Sequence, residues 1–154
     1  MTFVEVLWLA EGDIDLTRSG RMVARDVDAA LRASARPVLV VDDDDSIRDM
    51  VTSVLRSVGY SVRAAADGEA ALAAAAAETP ALVLLDLRMP RVDGWEFARR
   101  LEERGPRPPI IVMTAARDAR SAAAEIGADG HLPKPFDIDQ LLTQVARYVE
   151  ERGN

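Results

Sequence analysis

The sequence predicts an α/β domain: a doubly wound, five-stranded parallel sheet with helices on both faces. Two observations carry this. From Pro37 onward, five short apolar runs alternate with five segments of helical period. The runs are apolar almost continuously, the pattern of strands covered on both sides rather than one. A chain of 154 residues, 49% of them hydrophobic, is also long enough to bury one compact core, even though 26 residues are Ala.

Strands are expected at Val38–Val41, Tyr60–Ala64, Ala81–Leu85, Ile110–Met113 and, more weakly, Gly130–Leu132. The first helix shows the stripe Ile47, Val51, Val54, Leu55 and Val58, closed by Gly59 in the position of a C′ glycine. The Ala70–Ala77 tract is strongly helix-forming, with Leu72 as its main large anchor. A third helix is read from Trp95, Ala98 and Leu101, with Trp95 and Phe97 as packing residues. A fourth follows from Ala122, Ala123 and Ile126 before Gly127. The clearest is the last: Ile138, Leu141, Leu142, Val145, Tyr148 and Val149 form one stripe, with Asp137 placed as N-cap.

Composition excludes several classes of function. A formal charge of −7 leaves no dominant basic face, which disfavours nonspecific nucleic-acid binding. The absence of Cys rules out a disulfide framework, a thiolate metal site and a cysteine nucleophile. Met1–Ala10 is apolar but interrupted by Glu5 and has no basic leader, so it is a poor signal peptide. No run approaches the length needed to span a bilayer, and a cytoplasmic location is expected. One asymmetry stands out: of 19 basic residues 18 are Arg, and the sole Lys is Lys134.

In doubly wound sheets the ligand site lies beyond the carboxyl ends of the strands. There the sequence places Asp42, Asp43, Asp44 and Asp45 after the first strand, Asp86 after the third, Thr114 after the fourth and Lys134 after the fifth. An acidic run is usually a solvated loop or a helix cap, and a lone Asp or Thr at a strand end is usually structural. Four strand ends delivering complementary chemistry to one rim point further. Carboxylates packed together repel, so a proton or a cation must sit among them. Mg²⁺, a hard ion that accepts one or two carboxylates and keeps its waters, suits them best. A fixed ammonium and a hydroxyl suit the oxygens of a transferred phosphoryl group, and a carboxylate can be its nucleophile.

With Val-Leu-Val-Val-Asp42-Asp43-Asp44, Leu-Leu-Asp86-Leu-Arg-Met-Pro-Arg-Val-Asp-Gly94, Ile-Ile-Val-Met-Thr114-Ala115 and Ala-Asp-Gly-His131-Leu-Pro-Lys134-Pro-Phe136 in this order, the chain resembles the receiver domain of two-component response regulators. The resemblance covers residues 37–152. It implies a flavodoxin-like strand order 2-1-3-4-5. It implies that Asp86 accepts a phosphoryl group from a sensor histidine kinase or a histidine phosphotransfer protein. Asp43 and Asp86 would ligate Mg²⁺, with Asp42 acting largely through water and the Arg88 backbone carbonyl as a further ligand. Thr114 and Lys134 would bind the phosphoryl oxygens, and the Lys134–Pro135 peptide would be cis. No enzyme in the ordinary sense is implied, only self-catalysed phosphotransfer and autodephosphorylation. Output would pass to a downstream protein through the face of the fourth helix, fifth strand and fifth helix, which is also where a homodimer would form.

One departure from the family is His131, which stands where a switch Tyr or Phe is usual; an imidazole there would make the coupling weaker or pH-sensitive. Arg88 and Ala116 occupy positions that in the family tune the lifetime of the phosphoryl group. Residues 1–36 read as an N-terminal extension, flexible or partly helical, with Val23, Val27, Ala30 and Leu31 on one helical face. With the last helix running almost to Asn154, no output domain is expected. Two other readings remain at this stage. One is a receiver-like binding module that works without phosphorylation. The other is a haloacid-dehalogenase-type phosphohydrolase with Asp42 as nucleophile, which would leave the Asp86-Leu-Arg-Met-Pro segment unexplained.

Overall fold

A computed structural model describes residues 36–89 and 92–149; apart from Arg36, the expected extension over 1–36 lies outside these described residues. Strands and helices alternate as β1 (Val38–Val41), α1 (Asp45–Ser57), β2 (Val62–Ala65), α2 (Gly68–Ala77), β3 (Leu82–Asp86), α3 (Gly94–Glu103), β4 (Ile110–Ala115), α4 (Ala116–Ile126), β5 (Gly130–Lys134) and α5 (Ile138–Val149). These five strands are parallel and lie in the order β2-β1-β3-β4-β5, the doubly wound arrangement expected. The order reverses between β1 and β3, so the crevice of the sheet opens above Val41 and Asp86.

The period of the strands explains the two cores. Leu39, Val41, Val83, Leu85 and Val112 face α2, α3 and α4, where they meet Leu72, Phe97, Leu101 and Ala123. Val38, Val40, Leu84, Ile111 and Met113 face α1 and α5, meeting Val51, Leu55, Leu141 and Val145. Leu141 and Val145 are fully buried, each burial contributing about 1.5–3 kcal/mol.

Aspartates start four of the helices. Asp44, Asp67 and Asp93 each accept a hydrogen bond from the backbone N–H three residues on. Asp137 caps α5 reciprocally with Gln140: each side chain accepts from the other's amide, at 2.8 and 2.9 Å. The two glycine stops are as expected. Gly59 (φ 100°) and Gly127 (φ 66°) end α1 and α4 in the left-handed conformation. In both, the following amide reaches back to the carbonyl five residues earlier, from Tyr60 to Leu55 and from Ala128 to Ala123.

Three expectations need correction. Strand β2 begins at Val62 rather than Tyr60, because the Tyr60 amide is spent on closing α1. Strands β3, β4 and β5 run further than the apolar runs, through Asp86, Ala115 and Lys134, since Thr114 and Ala115 pair in register with Pro133 and Lys134. Trp95 is not in the core. A Cβ on Gly94 would lie 2.6 Å from Leu87 Cα, so the start of α3 sits tight against the β3–α3 loop. That approach turns Phe97, Ala98 and Leu101 inward and leaves Trp95 exposed, its indole N–H donating to Glu125 at 3.1 Å.

Candidate functional site

The acidic run after β1 divides its labour. Asp42 is wholly buried and fully engaged: Oδ1 accepts the Asp44 amide at 2.9 Å and Oδ2 accepts the Lys134 ammonium at 2.8 Å. Its carbonyl accepts from the Arg48 guanidinium at 2.9 Å. Asp43 points outward at the mouth, Asp44 caps α1 and Asp45 pairs with Arg48. The helix cap expected of such a run therefore holds for Asp44 and Asp45 pairs with Arg48 in solvent, while Asp42 and Asp43 belong to the pocket.

Asp86 closes β3 beside it, buried, with its Oδ1 3.8 Å from the Lys134 ammonium and 3.5 Å from the Arg88 amide. One carboxylate oxygen from each of Asp42, Asp43 and Asp86 lies within 4.8 Å of the others. Burial, first of all, pushes the Asp86 carboxyl up from 3.8 to about 7. Lys134 pulls the other way, the Asp42 charge adds to the rise, the Arg88 amide opposes it, and a hydrogen bond with the Asp43 side chain adds to it again. Lys134 lies closer to Asp42 than to Asp86, so its charge is committed largely to the anchor. Asp43 and Asp86 remain a pair of hard oxygen donors, of which Asp86 has only the more distant reach of that ammonium, a donor set that fits a divalent ion such as Mg²⁺.

Thr114 is buried one residue before the end of β4, on the strand next to Asp86. His131 pairs with Val112, two residues before Thr114, so the hydroxyl and the imidazole belong to the same face of the sheet, the one covered by α4. His131 is half-buried there. The Lys134–Pro135 peptide is cis. Arg88 turns its side chain out of the pocket, its guanidinium 3.3 Å from Asp118 on α4. Asp42, Asp43, Asp86, Arg88, Thr114 and Lys134 thus gather at the carboxyl rim, while His131 sits further down β5, level with Val112. Arg48 and Asp118 were not anticipated. Arg48 is three residues from Asp45, a spacing that shows in the sequence, but Asp118 is thirty from Arg88 and leaves no local signal.

The geometry bears on the rival reading with Asp42 as nucleophile. A carboxylate without exposed surface and with both oxygens bonded is poorly placed to attack anything. Asp86 meets the Lys134 ammonium only at 3.8 Å and retains a little exposed surface, unlike Asp42.

The profile of the family described as "Response regulator receiver domain" matches residues 38–146. The response regulator MprA of Mycolicibacterium vanbaalenii is 45% identical over 111 residues, 70% of this chain and 48% of the relative; that of Mycobacterium avium is 44% identical over the same span. The chain thus spans about half the length of these curated relatives. Among solved structures, the chemotaxis protein CheY4 of Vibrio cholerae superposes with a TM-score of 0.66 at 35% identity, over 75% of this chain and 99% of that one. The receiver domain of NtrX from Brucella abortus gives 0.68 at 34%, over 73% and 98%. Matching profile, relatives and fold, over the segment that builds the acidic rim, establish that the chain belongs to the response regulator receiver domain family.

Proposed function

We propose that residues 37–152 form a phosphorylation-activated switch in which Asp86 takes a phosphoryl group from the phosphohistidine of a sensor kinase or phosphotransfer protein. The observation that carries it is the meeting of three carboxylates and Lys134 at the switch point of the sheet. In the transfer an Asp86 oxygen attacks phosphorus, the phosphorus–nitrogen bond breaks, and its electron pair returns to the imidazole. Asp43, Asp86 and the Arg88 carbonyl, with Asp42 behind them, would hold Mg²⁺, which when bound would neutralise the gathering charge. Ionised Asp86 is the nucleophile, so whatever lowers its affinity for protons also activates it. Lys134, steered by Asp42, offers its ammonium to one phosphoryl oxygen and Thr114 its hydroxyl to another. Positioning and charge neutralisation are what phosphoryl transfer chiefly requires.

The signal would leave through the α4–β5–α5 face, where His131 lies, toward a downstream protein or a second copy of the chain. Among the described residues no helix is long and apolar enough to cross a membrane. The deciding experiment is incubation with Mg²⁺ and a small acyl phosphate, followed by intact-mass and site mapping. A labile adduct on Asp86 that disappears with Asp86→Asn or a chelator is the expected result. An adduct on Asp42 would move the reading to a phosphohydrolase, and no adduct on a folded protein would leave a binding module. Lys134→Arg should impair the phosphorylation-driven response, because a planar guanidinium is broader than the compact ammonium at this 2.8 Å contact. Wild-type partner binding by the phosphorylated variant would refute that.

A further inference from the structure

Among the described residues, four of the five helices begin on an aspartate cap, but α4 begins on Ala115, which offers no side-chain cap. This helix directly follows Thr114, and its first turn carries Asp118. Asp118 holds the guanidinium of Arg88, which is two residues beyond Asp86 and whose amide is already 3.5 Å from Asp86 Oδ1. The pair therefore ties the β3–α3 loop to α4 across the mouth of the pocket. Arg88 and Asp118 are 77% and 40% exposed, so the tie is a weak, exchangeable one.

We propose that Asp118 is a positioning residue that keeps the Arg88 guanidinium off Asp86 until a phosphoryl group competes for it. This rests on the reading of Asp86 as phosphoacceptor. A phosphoryl group carries more charge than a carboxylate and offers three acceptor oxygens, so the guanidinium of a residue whose amide already borders Asp86 prefers it over an exposed Asp. Moving Arg88 inward breaks the tie and frees the uncapped first turn of α4. Asp118 and the phosphoryl group are thus alternative partners of one cation, and each weakens the hold of the other.

The test is the affinity of the chain, with Mg²⁺ present, for the phosphoryl analogue beryllium trifluoride. Asp118→Asn removes the competitor and should tighten binding about two- to fivefold. Asp118→Glu should restore the wild-type value. In an Arg88→Ala background, Asp118→Asn should change nothing, because the cation competed for is gone. Equal or weaker binding by Asp118→Asn would overturn the proposal, as would a gain that survives in the Arg88→Ala background. Failure of the underlying reading looks different: the wild-type chain itself would not bind the analogue, or Asp86→Asn would still bind it.

Discussion

The two ends of the sheet use the same residue types to opposite effect. At the amino end, Asp129 precedes β5 and is fully answered. Its Oδ2 accepts from Arg107 at 3.1 Å and from the Ile110 amide at 2.9 Å, while its carbonyl accepts the Tyr148 hydroxyl at 2.6 Å. Arg107 also donates to the carbonyls of Pro108 and Gly127. At the carboxyl end, two of three clustered carboxylates share one ammonium, and burial raises the Asp86 carboxyl to about 7. Satisfied charge locks a fold, whereas unsatisfied charge, held in place by satisfied neighbours such as Asp42, is what a metal ion and a phosphoryl group can use.

The largest effect on stability is therefore expected at the end remote from the chemistry. Asp129→Ala takes the carboxylate from the half-buried Arg107 guanidinium and the acceptor from the Ile110 amide, and should cost about 2–4 kcal/mol in denaturant unfolding. Phosphorylation of the folded protein should be unchanged. A loss below 0.5 kcal/mol, roughly that of an ordinary surface substitution, would break the contrast between the two ends.

At the rim the sign should reverse. A carboxyl raised from 3.8 to about 7 in the folded state is fully compatible with folding below 3.8. Its contribution falls as pH rises from there, and is wholly lost above about 7. Asp86→Asn removes that penalty. In chelator at pH 8 it should stabilise the protein by on the order of 2 kcal/mol, a figure reduced for solvent at the mouth, with the gain shrinking toward pH 4. Destabilisation at pH 8, or a gain that grows on acidification, would contradict the account of the rim.

Mg²⁺ sharpens the same point from the other side. At ten times its Kd it should stabilise the wild-type chain by about 1.4 kcal/mol in a thermal melt at pH 8. Asp43→Ala should lose most of this, although Asp43 is exposed and adds nothing to the core. An undiminished shift would place the ion elsewhere. The smallest effect is expected from Gly127→Ala. Nothing within 4 Å meets a new Cβ there, so only the left-handed backbone opposes it, by about 1 kcal/mol in the same melt. A cost above 3 kcal/mol would mean that the Arg107 bond to the Gly127 carbonyl matters more than the backbone conformation.

Much of this was legible along the chain wherever one local rule governs. Continuous apolar runs marked the strands; Gly59 and Gly127 ended helices because only a positive φ lets the chain turn back there. Asp137 began α5 because its side chain reaches the amide of Gln140 within one turn. Asp42, Asp86, Thr114 and Lys134 followed from the rule that doubly wound sheets present ligands at strand ends. Trp95 escaped, since its period fits the buried stripe and only the tight seating of Gly94 on Leu87 rotates it outward.

By itself, the sequence determined the fold class and the identity of the residues on the rim, because strand and helix periods and local caps act over a few residues. The tertiary structure alone decided which of the aspartates is buried beside Lys134, which lies exposed and which caps a helix, which cation answers which carboxylate, and that burial raises the Asp86 carboxyl. Those depend on separations of a few ångströms between residues as far apart as Asp42 and Lys134, and on how much water remains around them. Coulomb energies and desolvation are set in space rather than along the chain.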